Sequence, residues 1–170
     1  WQTFFGNNQS TYTVYSHSSE SGELSGVLQG TRIKSNIKTS WGKTALAHQA
    51  LLSAALKDKD NYKFILCSES CVPLQSFDKV YSWLTKDNSS FIKFDPIVGE
   101  HIRVVKERIQ GTALVFKDMK KHAANYALNQ EHAQIIADSD VTVYDSMTNG
   151  DEHFLSVLWQ KDNKNIKDSW

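Results

Sequence analysis

The apolar positions of this chain fall into short blocks separated by polar stretches, and each block has a length that points to one kind of element. Trp1 to Phe5 reads as the amphipathic tail of a helix. Thr11 to Ser16, rich in aromatic and β-branched residues, predicts a strand that ends near His17. Residues 18 to 30 are dense in Gly and Ser and predict a loop. Ala45 to Leu56, packed with Ala and Leu, is the clearest helix, and the run from Lys57 to Asn61 ends it. Tyr62 to Cys67 is a continuous apolar run of strand length, the pattern of a central strand covered on both faces. Ser76 is placed to cap a helix reaching Leu84. Further strands are expected at Phe91 to Phe94, Thr112 to Phe116 and Val141 to Tyr144. Helices are expected from Met119 towards Asn129 behind an Asp118 cap, and over His132 to Ala137. Asp151 stands where an N-cap should stand, ahead of apolar positions 154, 155, 158 and 159 at helical spacing. Strands alternating with helices give an α/β class: a mixed sheet flanked by helices, with ligand groups at the carboxyl ends of its strands.

Composition narrows the partners. The 170 residues carry 19 Lys+Arg against 19 Asp+Glu, enough chain for one domain, 1–170, and no net charge. A protein that lives on nucleic acid or an anionic membrane needs clustered positive charge, so neither is expected as a partner. Two cysteines make no disulfide framework, and no stretch approaches the ~20 apolar residues that span a bilayer. A first residue that is Trp rather than Met, and a last segment that stops on Trp170, lead us to expect a chain cut at both ends.

Two polar clusters carry candidate chemistry. Ser68, Glu69 and Ser70 follow directly on the expected buried strand; a carboxylate flanked by hydroxyls can bind a sugar or ribose, or can simply start a turn. In the second cluster, Asp151 as N-cap puts Glu152 in a first helical turn, where free amides and the helix dipole favour an ionised carboxylate. Such a group can take a proton from an attacking nucleophile, although acidic residues are common in first turns for the same electrostatic reason. Asp138 and Asp140 form a D-x-D pattern of the kind that holds a divalent cation, but three residues make a weak signal. Cys67 and Cys71 lack the second pair of a zinc site and read as small hydrophobes, and His17, His48, His101, His122 and His132 have no metal-ligand spacing. No metal site is expected. Signatures of common hydrolases, P-loop enzymes and dinucleotide-binding proteins are absent. Asn8 and Asn88 begin glycosylation sequons, usable only in the secretory pathway.

Four segments together resemble one family. Ser40-Trp41-Gly42 before the Ala/Leu helix, the run Phe64 to Leu74 with its Ser68-Glu69-Ser70-Cys71-Val72-Pro73 core, Gly111 to Phe116 with Lys121-His122-Ala123, and Asp151 to Leu155 occur in the order and spacing of the core-2/I-branching β-1,6-N-acetylglucosaminyltransferases, glycosyltransferase family 14. The likeness covers nearly the whole chain and is closest to the family's less characterised branch. It implies a glycosyltransferase-A type fold and transfer with inversion of a sugar, N-acetylglucosamine, from a uridine diphosphate donor to a glycan hydroxyl. By this resemblance Glu152 is the catalytic base, and Ser68, Glu69, Ser70, Gly111, Thr112, Trp41 and Asp151 line the donor and acceptor site. It further implies work without a metal or other cofactor, with the donor as co-substrate, and residence in the Golgi lumen on a membrane anchor outside this segment. One departure stands out: the family's diphosphate-neutralising basic residues lie far beyond the base, whereas here only Lys161, Lys164 and Lys167 follow Glu152. That departure keeps a second reading in play, a non-catalytic domain that binds a glycan or nucleotide sugar, and a third, a structural fragment that binds neither.

Overall fold

The structure is a computed structural model, and it describes all residues except 7–9, 19–23, 69, 163 and 168–170. In chain order its elements are α1 (Gln2–Phe5), α2 (Ala45–Ala55), β1 (Lys63–Ile65), α3 (Phe77–Thr85), β2 (Ser90–Phe91), β3 (Phe94–Asp95) and α4 (Glu100–Arg108). There follow β4 (Lys121–His122), β5 (Ala127–Asn129), α5 (Gln130–Ala137), α6 (Thr142–Ser146), α7 (Ser156–Lys161) and β6 (Ile166–Lys167). Single 3₁₀ turns occupy Gly26–Leu28, Phe116–Asp118 and Gly150–Glu152.

The expected α/β class with a mixed sheet and flanking helices is what the chain adopts. Four strands lie in the order β1-β5-β2-β6, antiparallel except for the parallel pair β2/β6, and β3 pairs with β4 in a separate antiparallel ribbon. Helices α2, α5, α6 and α7 pack together around Leu128, Ala133, Ile136, Val141, Phe154, Leu155 and Leu158, all fully buried. Gln49 of α2 ties two of these helices by donating to the carbonyls of Ile136 and Ala137 at the end of α5.

Several elements depart from the sequence expectation, each for a physical reason. The strand expected over 62–67 forms at Lys63–Ile65 on the edge of the sheet, and it is covered on one face only: Phe64 is buried and Ile65 is 54% exposed. The helix expected from Met119 is instead an extended passage. Its Ala and Leu residues favour helix locally, but Ala127, Leu128 and Asn129 are all buried as the strand between β1 and β2, and tertiary pairing overrides propensity. Val141 to Tyr144 is helical rather than extended, because Asp140 Oδ1 accepts from the Thr142 amide and hydroxyl and buries Val141 and Tyr144 on one side. Phe91 to Phe94 divides between two sheets. No strand forms at Thr112 to Phe116, and Thr11 to Ser16 contributes only a bridge from Ser16 to Arg32. Helix α4, for which the apolar pattern gives no signal, buries only Val105. Of the two cysteines read as buried hydrophobes, Cys67 is exposed.

Candidate active site

Glu152 closes the 3₁₀ turn Gly150–Glu152, which runs through i to i+3 hydrogen bonds into α7. Asp151 is therefore not a helix N-cap, and Glu152 does not sit in the first turn of a long helix. The reason lies in the preceding backbone. Asn149 takes a left-handed conformation, φ 54°, and Gly150 fits only because it has no Cβ: one would fall 1.8 Å from the Tyr144 carbonyl oxygen. This tight approach turns the chain sharply before an α-helix can start. Directly after Glu152 the chain plunges into the core, where Phe154 lies edge-on to the rings of His48, His122 and Tyr126.

The turn is held on two sides. On one side, Asp151 Oδ2 accepts from the Thr44 hydroxyl at 2.9 Å, and the Asp151 amide donates to the Gly42 carbonyl at 3.4 Å. Trp41 and Gly42 form the turn that leads into α2, and the Trp41 side chain stands 94% exposed, next in sequence to the Gly42 that the Asp151 amide contacts. On the other side, the Lys120 amide donates to Ser156 Oγ at 2.9 Å, and the Lys120 carbonyl accepts from that hydroxyl and from His153 Nδ1, each at 3.0 Å. This clamp carries the next residue, Lys121, to within 3.1 Å of Glu152 Oε2. Glu152 thus presents a part-exposed carboxylate with a cation on one oxygen, and its other oxygen accepts from no described residue.

Burial sets the electrostatics around it. The His48 imidazole is held down to about 4, chiefly by desolvation and then by His17. His122 is held down to about 3 by burial, partly opposed by its bond to the Ala123 carbonyl, and His153 is lowered by burial too. These rings are neutral at ordinary pH. Burial raises the pKa of the Asp151 carboxyl; the Thr44 hydrogen bond opposes that rise, while the negative charges of Glu152 and Asp145 add to it.

The structure thus joins the turn that carries Asp151 and Glu152 to the Trp41-Gly42 turn through the Gly42 carbonyl. It does not join the other expected residues to them by any hydrogen bond or ion pair among the described residues. Ser68 and Ser70 bond to each other at 2.9 Å on an exposed turn, linked through Cys71 to Asn125, while Glu69 lies outside the described residues. Gly111 and Thr112 lie in the turn that follows α4, where Gly111 supplies φ 76° and the Thr112 hydroxyl donates to the Ile109 carbonyl. Asp140 is engaged at the start of α6 and Asp138 with Gln134, and no group of three His, Cys, Asp or Glu able to hold a metal occurs among the described residues. Thr44, His48 and Tyr126 belong to the site's surroundings without having been singled out as site residues, and Lys121 entered only through the Lys121-His122-Ala123 segment of the resemblance; Thr44 and Asp151 are 107 residues apart.

The site is a part-exposed carboxylate paired with a lysine on a turn held from two sides, and comparison with known proteins gives the class. The family model "Core-2/I-Branching enzyme" matches residues 1–167, and the chain belongs to this family, whose members are glycosyltransferases. The chain is also 25% identical over 149 residues to "Glycosyltransferase BC10" of Oryza sativa subsp. japonica, a match that covers 82% of this chain and 37% of that relative. It therefore spans little more than a third of the length of the curated relative it matches. No solved structure matches it.

Proposed function

We propose that this domain serves an inverting glycosyltransferase that moves N-acetylglucosamine from a uridine diphosphate donor to a glycan hydroxyl, with Glu152 as the base. The observation that carries this reading is the Glu152 carboxylate itself: part-exposed, paired on one oxygen with Lys121, and fixed by a turn anchored both to α2 and to β4. As the acceptor oxygen attacks the anomeric carbon, its proton passes to the free Glu152 oxygen, and the bond from that carbon to the diphosphate oxygen breaks with its electron pair leaving on the diphosphate. Inversion calls for a base of this kind on the acceptor side, opposite the leaving group. The exposed Trp41 face offers a stacking surface for a sugar or a uracil ring. Residence in the Golgi lumen and freedom from a metal ion follow from family membership as part of the same proposal; among the described residues no helix is long and apolar enough to cross a membrane.

The test is transfer from UDP-N-acetylglucosamine to a panel of glycan acceptors by the full-length protein and by Glu152→Gln. The amide cannot accept the proton, so transfer should fall by roughly 10²-fold or more while donor binding persists, and a chelator should change nothing. An active Glu152→Gln variant rules out the base assignment. Uridine diphosphate binding without transfer by the unaltered protein would favour the non-catalytic reading instead.

A further inference from the structure

Helix α2 opens at a threonine, a residue type that ordinarily caps its own helix by accepting an amide hydrogen. Thr44 makes no such bond; its hydroxyl is given to Asp151. The amide it would have satisfied, that of Leu46, donates instead to Asp145 Oδ1 of α6 at 3.3 Å. The cap is supplied from across the fold, and the threonine hydroxyl is released for another task. Behind it, one turn along α2, His48 Nε2 lies 3.3 Å from Thr44 Oγ1 and His48 Nδ1 lies 3.4 Å from the Tyr126 hydroxyl.

The hydrogens of this chain can be assigned. Thr44 has one hydroxyl hydrogen, and Asp151 receives it. The contact with His48 then requires the hydrogen on Nε2. A neutral imidazole has one N–H, so Nδ1 accepts, and Tyr126 donates to it. Every donor points the same way, from Tyr126 through His48 and Thr44 to Asp151.

We propose that Tyr126, His48 and Thr44 form a one-way hydrogen-bond chain that orients Asp151, and through it the Glu152 turn, so that His48 and Thr44 are positioning residues for the transfer reaction. The inference rests on the assignment of Glu152 as the base. The groups acting on Asp151 are Thr44 at the start of α2, Asp145 of α6 and Glu152 of its own turn, with Lys121 of β4 paired to Glu152; those facing His48 are Thr44, His17, His122 and Tyr126. Thr44 is the side chain that most favours the charged form of Asp151 against burial and two like charges, a backbone hydrogen bond adding to it. Without it, Asp151 takes up a proton at higher pH.

Two measurements test this on the intact protein. Nitrogen-15 NMR of the histidine rings at neutral pH should show His48 protonated at Nε2 alone; a ring protonated at Nδ1, or an imidazolium, overturns the proposal. In kinetics, Thr44→Val removes the hydroxyl without removing a cap. It should lower kcat roughly tenfold with donor KM unchanged, and should move the acid limb of the pH–rate profile to higher pH. Thr44→Ser should restore both, an outcome that a change in folded fraction does not produce in the acid limb. A Thr44→Val enzyme with unaltered kcat and acid limb, beside an inactive Glu152→Gln, overturns the positioning role alone. An active Glu152→Gln overturns the base assignment and the positioning role together.

Discussion

Gly42 and Asn149 are in direct backbone contact: a Cβ on Gly42 would fall 2.5 Å from Asn149 Oδ1, 2.7 Å from its amide nitrogen and 2.8 Å from its Cα. Both residues take positive φ, 74° and 54°, so two left-handed turns stack face to face and set the Trp41 turn against the Glu152 turn. The contact joins segments far apart in the sequence at the point where the candidate base is displayed.

Gly42→Ala should therefore cost about 2 kcal/mol or more, from a disfavoured backbone conformation and an overlap with backbone atoms that cannot swing away. Asn149→Gly, which keeps the left-handed turn open to the chain, should cost less. Thermal denaturation of the two variants checks the order, and a Gly42→Ala protein as stable as the parent refutes the contact.

Trp41 separates binding from stability. Its side chain is almost wholly exposed, so Trp41→Ala should change stability by no more than ~0.5 kcal/mol. If the indole stacks on the donor base, the loss should weaken donor binding by about 1–3 kcal/mol, or roughly 5- to 150-fold. Calorimetric titration with uridine diphosphate reads this directly.

The Lys121–Glu152 pair should act on rate far more than on folding. Both side chains are substantially exposed, and such a pair contributes ~1 kcal/mol at most. Lys121→Met should leave the denaturation midpoint nearly unmoved and lower kcat, because the Glu152 carboxylate loses the contact that orients it. Lys121→Arg should recover much of the rate, and equal kcat in Lys121→Met and the parent would remove Lys121 from the site.

Acid should unfold the protein through its buried imidazoles. The folded-state pKa values of His48 and His122, about 4 and about 3, lie below the ordinary value of 6.5. Across that window the unfolded chain binds more protons at these sites than the folded one, so the stability contributed by the two rings falls as pH falls from about 6.5 and is fully lost below about 3. Urea midpoints measured from pH 7 down to pH 4 should drop steadily. His122→Phe, which keeps a ring among Phe94, Tyr126 and Phe154, should flatten part of that slope.

Sequence pattern revealed those elements whose local and tertiary preferences agree. Helix α2 is Ala- and Leu-rich and is buried against other helices, so composition and packing point the same way. The passage from Lys120 to Asn129 was illegible for the opposite reason: Ala, Leu and Asn say helix or turn, and only the neighbouring strands, from distant parts of the chain, make it extended. The site divides similarly. Asp151 and Glu152 were visible as adjacent carboxylates before an apolar helical pattern, but the expected cap was wrong. The Asp151 side chain reaches Thr44 rather than its own helix, and Glu152 is framed by a lysine that backbone bonds to His153 and Ser156 put in place. Those links span 33 to 107 residues, and no spacing rule encodes them.

The borrowed cap on α2 also bears on the order in which the protein assembles. Asp145 reaches Leu46 across 99 residues, so the first turn of α2 lacks its acceptor until α6 has docked. The Ala/Leu stretch can form helical turns early from its own propensity, but its entry turn waits for a contact that closes a very long loop. The geometry around Thr44 and Asp151 is accordingly complete only once α6 has docked on α2. A nascent chain that had not yet released α6 would hold a formed helix α2 and no organised carboxylate pair.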